Sequence, residues 1–154
     1  MPRFWQYFKY VIRHKWYVFW ACYDYGVPLW MALLHDWDKF LPASFSAYAK
    51  TFYNKDGSKR YEEFPEFAVA WNQHQKLNKH HWQWWRLTWD RGDTEALPMP
   101  SVYRREMLAD WCGAGKALGK PDTRAWYLSQ RPILIEKIHP ETIAWLDGQL
   151  MVHV

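Results

Sequence analysis

Apolar side chains recur at intervals of three or four residues along most of the chain, which is the spacing of one face of an α-helix. Glycine, proline and clusters of polar residues interrupt this pattern, as helix ends and loops do. The pattern predicts helices over about residues 4–23, 28–36, 43–53, 62–85, 101–119, 123–138 and 140–150, with a polar loop at 54–59 and an irregular stretch at 90–100.

This succession of elements predicts an all-α fold. No run rich in Val, Ile and Thr alternates between polar and apolar positions, so no β-sheet is predicted. With 154 residues, the chain is long enough for one continuous core. We therefore expect residues 1–154 to form one compact bundle of about six or seven helices. Residues 10–115 would form its metal-binding centre, and the helices at 123–150 would pack against it.

The composition narrows the class of protein. Aromatic residues make up 20% of the chain, including 13 Trp, and such large rings can stabilise a small core. A net charge of +4 favours small anionic ligands and is compatible with nucleic acid without favouring it. Two cysteines exclude a disulfide framework, and no apolar run approaches the roughly 20 residues of a membrane span. We expect a cytoplasmic protein without a membrane partner, and exposed Trp on the terminal helices would suit a homodimer.

The candidate chemistry lies in the histidines. In the predicted helix 62–85, His74 and His81 are seven residues apart, which places them about 20° from each other on one face. Asn78 lies between them, while His80 points roughly 100° away from His81. The same spacing also suits structural histidines that stack in the core or on the surface.

Asp110 and His14 each have two interpretations. Asp110 shares a helix face with the small residues Gly113 and Ala114. Because such a face is suited to close packing, the carboxylate of Asp110 is predicted to face inward. There it needs a metal ion or an arginine such as Arg105, because a buried unpaired carboxylate is costly. His14 lies in mid-helix among aromatic residues, where a hydrogen-bonded core histidine is the ordinary case.

The order of these residues resembles that of the HD-domain metallohydrolase superfamily, in which His, His-Asp and Asp come from separate helices. Here the order is His14, His35-Asp36 and Asp110. The string at 35–42, HDWDKFLP, is also similar to the H-D-x-x-K pattern of the branch that degrades cyclic dinucleotides. Over its whole length the chain resembles an uncharacterised family of small phage and bacterial proteins. A phage-encoded protein would work in the host cytoplasm.

The resemblance implies an HD-like helical domain with one or two divalent transition-metal ions, such as Fe, Mn, Ni, Co or Zn. The residues that would hold the first ion are His14, His35, Asp36 and Asp110. His74 with His80 or His81 would hold the second. Asp36 would bridge them and act in catalysis together with Lys39, which would contact a substrate phosphate. The implied metal ligands are His14, His35, Asp36, His74, His80 or His81, and Asp110.

The function that follows is hydrolysis of a phosphoester or phosphoanhydride in a small nucleotide-like substrate, by a hydroxide that the metal activates. Asn78, Arg104 and Arg105 are further candidates for substrate binding, beside Lys39. One alternative is a mixed-valent di-iron oxygenase of the HD type, which uses the same ligand order. Another is a non-enzymatic basic and aromatic module that binds nucleic acid or protein through a patch around residues 76–86.

Overall fold

The computed structural model describes residues 2–151. Within this range the chain forms seven α-helices, two short 3-10 helices and one two-stranded antiparallel sheet, so the predicted all-α class is confirmed. The elements are α1 (Pro2–Asp24), α2 (Leu29–Leu34), a 3-10 helix (Trp37–Phe40), α3 (Pro42–Phe52), α4 (Pro65–Leu77), a second 3-10 helix (Trp82–Trp85), β1 (Arg86–Thr88), β2 (Thr94–Ala96), α5 (Ser101–Ala117), α6 (Thr123–Leu134) and α7 (Pro140–Gln149).

Helices α1 and α5 lie against each other along the middle of the bundle. A stripe of α1 at helical spacing is buried, including Val11, His14 and Val18. Gly113 of α5 lies against Val18, and a Cβ atom at this glycine would lie only 2.3 Å from the Val18 side chain. The missing side chain lets the two helices approach closely. This approach sets the positions of His14 on α1 and Asp110 on α5.

Three clusters of buried side chains surround this helix pair. Tyr7 and Tyr48 belong to the cluster in which α3 and α4 pack on the first half of α1. Cys22 and Ala109 belong to the cluster between the second half of α1, α2 and α5. The third cluster, around Leu146, joins α6 and α7 to α5. The C-terminal helices therefore pack against α5.

The long helix predicted over residues 62–85 is wrong, because α4 ends immediately before Asn78. The backbone of Asn78 is extended, and its side-chain amide donates hydrogen bonds to Asp38 Oδ1 and to the carbonyl of His74. These bonds replace the continuation of the helix. His74 and His81 therefore share no helix face, yet the turn still brings them together, with 2.8 Å between their Nε2 atoms.

Two smaller predictions also need correction. The second helix ends at Leu34, before His35 and Asp36. Asp36 has a left-handed backbone conformation with φ 55°, which a right-handed helix cannot contain. In addition, part of the stretch at 90–100 pairs with β1 as strand β2. Strands of three residues are too short for alternation of polar and apolar residues to reveal them.

The outer face of α1 leaves several large rings in contact with solvent. Trp5, Trp16 and Tyr23 are 59%, 60% and 61% exposed. None of the helices within residues 2–151 combines the length and the hydrophobicity that a bilayer crossing requires.

Candidate metal centre

The turn between α2 and α3 carries four polar side chains of the site. Asp36 has φ 55° and ψ 30°, a conformation that aspartate adopts more readily than most residues. The 3-10 helix that follows contributes Asp38 and Lys39, and Lys39 Nζ lies 2.5 Å from Asp36 Oδ2. The backbone carbonyl of His35 accepts a hydrogen bond from Lys15 Nζ, which ties this turn to α1.

The first group of donor atoms surrounds one oxygen of Asp36 and one of Asp110. His14 Nε2 is 3.2 Å from Asp36 Oδ2 and 3.2 Å from Asp110 Oδ1. His35 Nε2 is 3.4 Å from Asp36 Oδ2 and 3.3 Å from Asp110 Oδ1. Two imidazoles and two carboxylates thus converge, and this group could hold a metal ion.

The second group surrounds the other oxygen of Asp36. Oδ1 is 3.4 Å from His74 Nε2 and 3.4 Å from His80 Nε2, and His81 Nε2 is 2.8 Å from His74 Nε2. This group could also hold a metal ion. Asp36 is therefore shared by the two groups, with one oxygen towards each, and both His80 and His81 are among the donors.

Two buried carboxylates bind the outer nitrogens of the imidazoles. His35 Nδ1 donates to Glu106 Oε1 at 3.1 Å, and His80 Nδ1 lies 3.5 Å from the same oxygen. His74 Nδ1 donates to Asp38 Oδ2 at 2.7 Å. A neutral imidazole that donates from Nδ1 keeps its lone pair on Nε2, which is the arrangement of a metal-binding histidine with a carboxylate behind it. Glu106 with His35 and His80 forms a third group that could hold an ion.

The spacing of the inner donor atoms fits a metal ion. Bonds of about 2.0–2.2 Å to nitrogen and oxygen place neighbouring ligand atoms roughly 3 Å apart. Neighbouring donors in the two groups are separated by 2.8 to 3.4 Å. Asp36 Oδ1 and His80 Nε2 are buried and have no hydrogen-bond partner among the described residues. Such atoms are costly, and a cation between them would satisfy both.

His35 and Lys39 both help to balance the charge of the buried carboxylates. Burial opposes ionisation of Asp36, but His35 and Lys39 hold its pKa well below the usual value. Burial lowers the pKa of His35, yet Asp36, Asp110 and Glu106 together raise it well above that of a free imidazole. Burial also lowers the pKa of Lys39, but Asp36 beside it raises this pKa well above the usual value. Metal uptake would therefore displace a proton from His35.

The model of a family of unknown function, DUF5662, matches residues 3–152. The chain belongs to the DUF5662 family. Neither the comparison with curated proteins nor that with solved structures gives a match. The family match covers both donor groups of this DUF5662 protein, and the family description carries no activity.

Two of the predicted substrate-binding residues of the DUF5662 protein bind elsewhere. Arg105 Nη1 donates to the backbone carbonyls of Tyr25 and Gly26, just after α1. The guanidinium of Arg104 lies 5.1 Å from the centre of the Trp145 ring. The structure therefore places both arginines in contacts with the scaffold and does not bring them to the donor groups.

Asn78 and one residue of the predicted basic patch are buried beside the second donor group. Asn78 is buried next to the second donor group, where its amide supports the pair formed by Asp38 and His74. The patch around residues 76–86 is interrupted, because His80 is only 2% exposed and belongs to the second donor group.

Three supporting residues have only weak signatures in the sequence. Glu106 precedes Asp110 by four residues and so shares its helix face, which is the one available signal for a role beside it. Asp38 follows Asp36 by two residues in a segment without helical periodicity. The contact of Lys15 with the turn joins residues 20 positions apart and has no local signature.

Proposed function

We propose that this protein is a metal-dependent phosphohydrolase that acts on a small nucleotide-like phosphoester or phosphoanhydride. The proposal rests on the position of Asp36. One of its oxygens faces each donor group, and the ammonium of Lys39 lies 2.5 Å from Oδ2. A fixed positive charge beside a shared carboxylate is suited to an anionic phosphate.

The donors define which metals the centre accepts. All of them are imidazole nitrogens or carboxylate oxygens, which suits Fe, Mn, Ni, Co or Zn. Bound divalent ions supply Lewis acidity to phosphoryl oxygens and make a water molecule more acidic. The residues that would hold one or two such ions are His14, His35, Asp36 and Asp110 in the first group and Asp36, His74, His80 and His81 in the second.

The chain contributes charge, orientation and exclusion of solvent. A lysine ammonium is protonated at neutral pH, and that of Lys39 lies beside Asp36 Oδ2, where it can neutralise charge on the substrate phosphate. Asp36 would help to orient the attacking water. The imidazoles are fixed by Glu106 and Asp38 before substrate arrives, which lowers the cost of organising the site during the reaction.

The resemblance to the HD-domain superfamily supports the same proposal. The order of His14, His35-Asp36 and Asp110 along the chain is that of the first metal site in those hydrolases, and these residues lie in one group here. Lys39 occupies the last position of the H-D-x-x-K pattern.

Metal content is the first test. Untagged wild-type protein, Asp36→Asn and the exposed control Asp93→Asn would be compared by elemental mass spectrometry after reloading. We expect about two equivalents of a transition metal in the wild type and the control, and a large loss in Asp36→Asn. Absence of metal from all three proteins would reject the proposal.

Activity is the second test. Metal-loaded protein would be assayed against a panel of nucleotides and phosphodiesters for released phosphate or nucleoside. We expect Lys39→Ala to lower kcat/KM by at least about tenfold while the metal content stays unchanged. No product from any substrate would reject hydrolysis. Substrate-dependent oxygen uptake by the iron form would favour the HD-type oxygenase, and salt-sensitive oligonucleotide binding that survives Asp36→Asn would favour the binding module.

A further inference from the structure

A cavity of about 410 Å³ lies between α1, α3 and α4. Seven of its nine lining side chains are aromatic, and Lys39 and Glu63 are the two exceptions. This volume is in the range of small-molecule sites, which are typically apolar with a few polar groups.

The cavity adjoins the metal donors. Its lining residue Tyr10 stacks on His14 with 6.0 Å between ring centres. Trp71, another lining residue, lies 5.6 Å from the ring of His74 and 5.3 Å from that of His81. Lys39 lines the cavity and also contacts Asp36 Oδ2. A ligand in this cavity would therefore have its charged end at Lys39, next to the first donor group.

A second, smaller cavity of about 200 Å³ adjoins the donor groups from another side. It is lined by His35, His80 and Glu106. There the outer nitrogens of the two histidines are occupied by the Glu106 carboxylate. Each cavity has one carboxylate and one lysine, Glu106 and Lys79 in the smaller and Glu63 and Lys39 in the aromatic cavity. Glu106 lies directly against the histidines, whereas Lys39 contacts Asp36 itself, so the aromatic cavity is the better route for an anion.

Two tyrosines that line the aromatic cavity carry hydroxyls without hydrogen-bond partners. The hydroxyls of Tyr7 and Tyr48 are buried and make no hydrogen bond to any described residue. Both tyrosines line the cavity, and the ammonium of Lys39 lies 5.9 Å from the centre of the Tyr48 ring. A buried unpaired hydroxyl destabilises the free protein. A small rotation of either tyrosine side chain towards the cavity would let a ligand with polar atoms reach the hydroxyl and relieve that cost.

We propose that this cavity binds a planar aromatic group that the substrate carries on its phosphate, with Tyr7 and Tyr48 as hydrogen-bond partners of the ligand. The aromatic walls would stack on the flat group, and the Glu63 carboxylate at the rim would accept a hydrogen bond from it. The assignment rests on the proposed function, because it takes the reacting phosphate to lie at the metal centre.

Binding of two phosphonates, compared in alkaline buffer where both carry two negative charges, tests the assignment. Phenylphosphonate and propylphosphonate cannot be hydrolysed as esters, and their affinities for the metal-loaded protein would be measured by calorimetry. We expect phenylphosphonate to bind about tenfold more tightly. Phe67→Leu, which changes a wall without touching the histidines, should remove this preference. Equal affinities, or no binding of either compound, would overturn the assignment.

The tyrosine hydroxyls allow a second test, in which their removal is expected to raise the melting temperature of the free protein. Tyr7→Phe and Tyr48→Phe should raise the melting temperature of the free protein while weakening phenylphosphonate binding several-fold, because the hydroxyl is unpaired until the ligand binds. The control Tyr127→Phe loses a hydrogen bond to Asp147 outside the cavity. It should lower the melting temperature and leave binding unchanged. A lower melting temperature for the two cavity variants, with unchanged affinity, would assign them a structural role only.

The two proposals can fail separately. Hydrolysis of phosphoesters without an aromatic preference would retain the phosphohydrolase and overturn the cavity assignment. Preferential binding of phenylphosphonate without hydrolysis of any ester would retain the cavity as a ligand site and reject the phosphohydrolase.

Discussion

Asp36 combines three features that are each uncommon in a single residue. It is completely buried, its backbone is left-handed, and its two carboxylate oxygens face different groups of histidines. Burial of a carboxylate and a left-handed backbone both cost free energy. Residues in such unfavourable states occur at functional sites when the surrounding structure holds them in place. Here Lys39 and the imidazoles hold Asp36.

Glu106 offers a test at the same scale, because one of its oxygens serves the outer nitrogens of both His35 and His80. Glu106→Gln keeps the size of the side chain but removes its charge. We expect metal affinity to fall by about 10–100-fold, since carboxylates behind metal-binding histidines orient the rings and raise their basicity. A metal titration of the folded variant measures this loss. The exposed control Glu95→Gln in β2 should bind as the wild type does, and a similar affinity in Glu106→Gln would show that the carboxylate plays no part in metal binding.

At the scale of elements, the approach of α1 and α5 depends on Gly113. A Cβ atom there would lie 2.7 Å from the backbone nitrogen of Val18, and backbone cannot move aside cheaply. We expect Gly113→Ala to destabilise the protein by about 3 kcal/mol, as overpacking at a helix contact does. Chemical denaturation measures the change.

The matched control is Gly148→Ala in α7, where a Cβ atom would meet nothing within 4 Å. Alanine is the better helix former, so this variant should be more stable by roughly 0.5–1 kcal/mol. Opposite signs for the two substitutions would locate the effect in the helix contact. Similar effects at both positions would contradict the close approach.

A second contact between elements predicts a pH dependence. Asp147 of α7 accepts hydrogen bonds from Arg131 and Tyr127 of α6, and these bonds, that of Arg131 first, lower the pKa of Asp147. A depressed carboxyl pKa contributes stability above the ordinary value of about 4, and this contribution is lost as the pH falls through the folded-state pKa.

Asp147→Asn should therefore lower the melting temperature by roughly 2–4 °C at pH 7. The difference from the wild type should shrink below about pH 4, where the wild-type carboxyl also becomes neutral. Thermal melts of both proteins between pH 3 and pH 8 measure it. A difference that is the same at both ends of this range would contradict the pairing with Arg131.

The elements show what a sequence pattern can and cannot predict. Helix α1 is long and strongly periodic, and its predicted range of 4–23 differs from Pro2–Asp24 by only two residues at one end and one at the other. Helix α4 ends early because the side chain of Asn78 bonds to Asp38, 40 positions away. The spacing of apolar residues carries no information about a hydrogen-bond partner so far away in the sequence. The local pattern therefore specifies regular helices well and their interruptions poorly.

In the candidate site, too, some features can be predicted from the sequence and others depend on tertiary contacts. The donors could be nominated by residue type and order, and His14, His35, Asp36 and Asp110 do lie together. Arg104 and Arg105 were plausible by charge alone, but tertiary contacts with Trp145 and with the end of α1 occupy them. Charge shows that a side chain can bind an anion, while only the fold shows where that side chain is.

At the scale of the whole molecule, the donors join segments that are far apart in sequence, from α1 to α5. An ion that binds only the folded chain stabilises all of these segments together. We expect a free-ion concentration of about 100 times Kd to add about 2.7 kcal/mol to the stability, which corresponds to a rise in melting temperature of roughly 5–10 °C. Thermal melts with and without a chelator measure this effect. A response that survives in Asp36→Asn would place the stabilising ion elsewhere.

The contact between Lys39 and Asp36 has a thermodynamic consequence for the two proposed ligands, a metal ion and a phosphate. In the metal-free protein the ammonium of Lys39 neutralises the carboxylate. A metal ion bound at Asp36 would take over this task and would leave Lys39 available to an anion in the neighbouring cavity. Phosphate binding and metal binding should then be positively linked, and the linkage must be reciprocal. The factor by which the metal tightens an anion is the factor by which that anion tightens the metal.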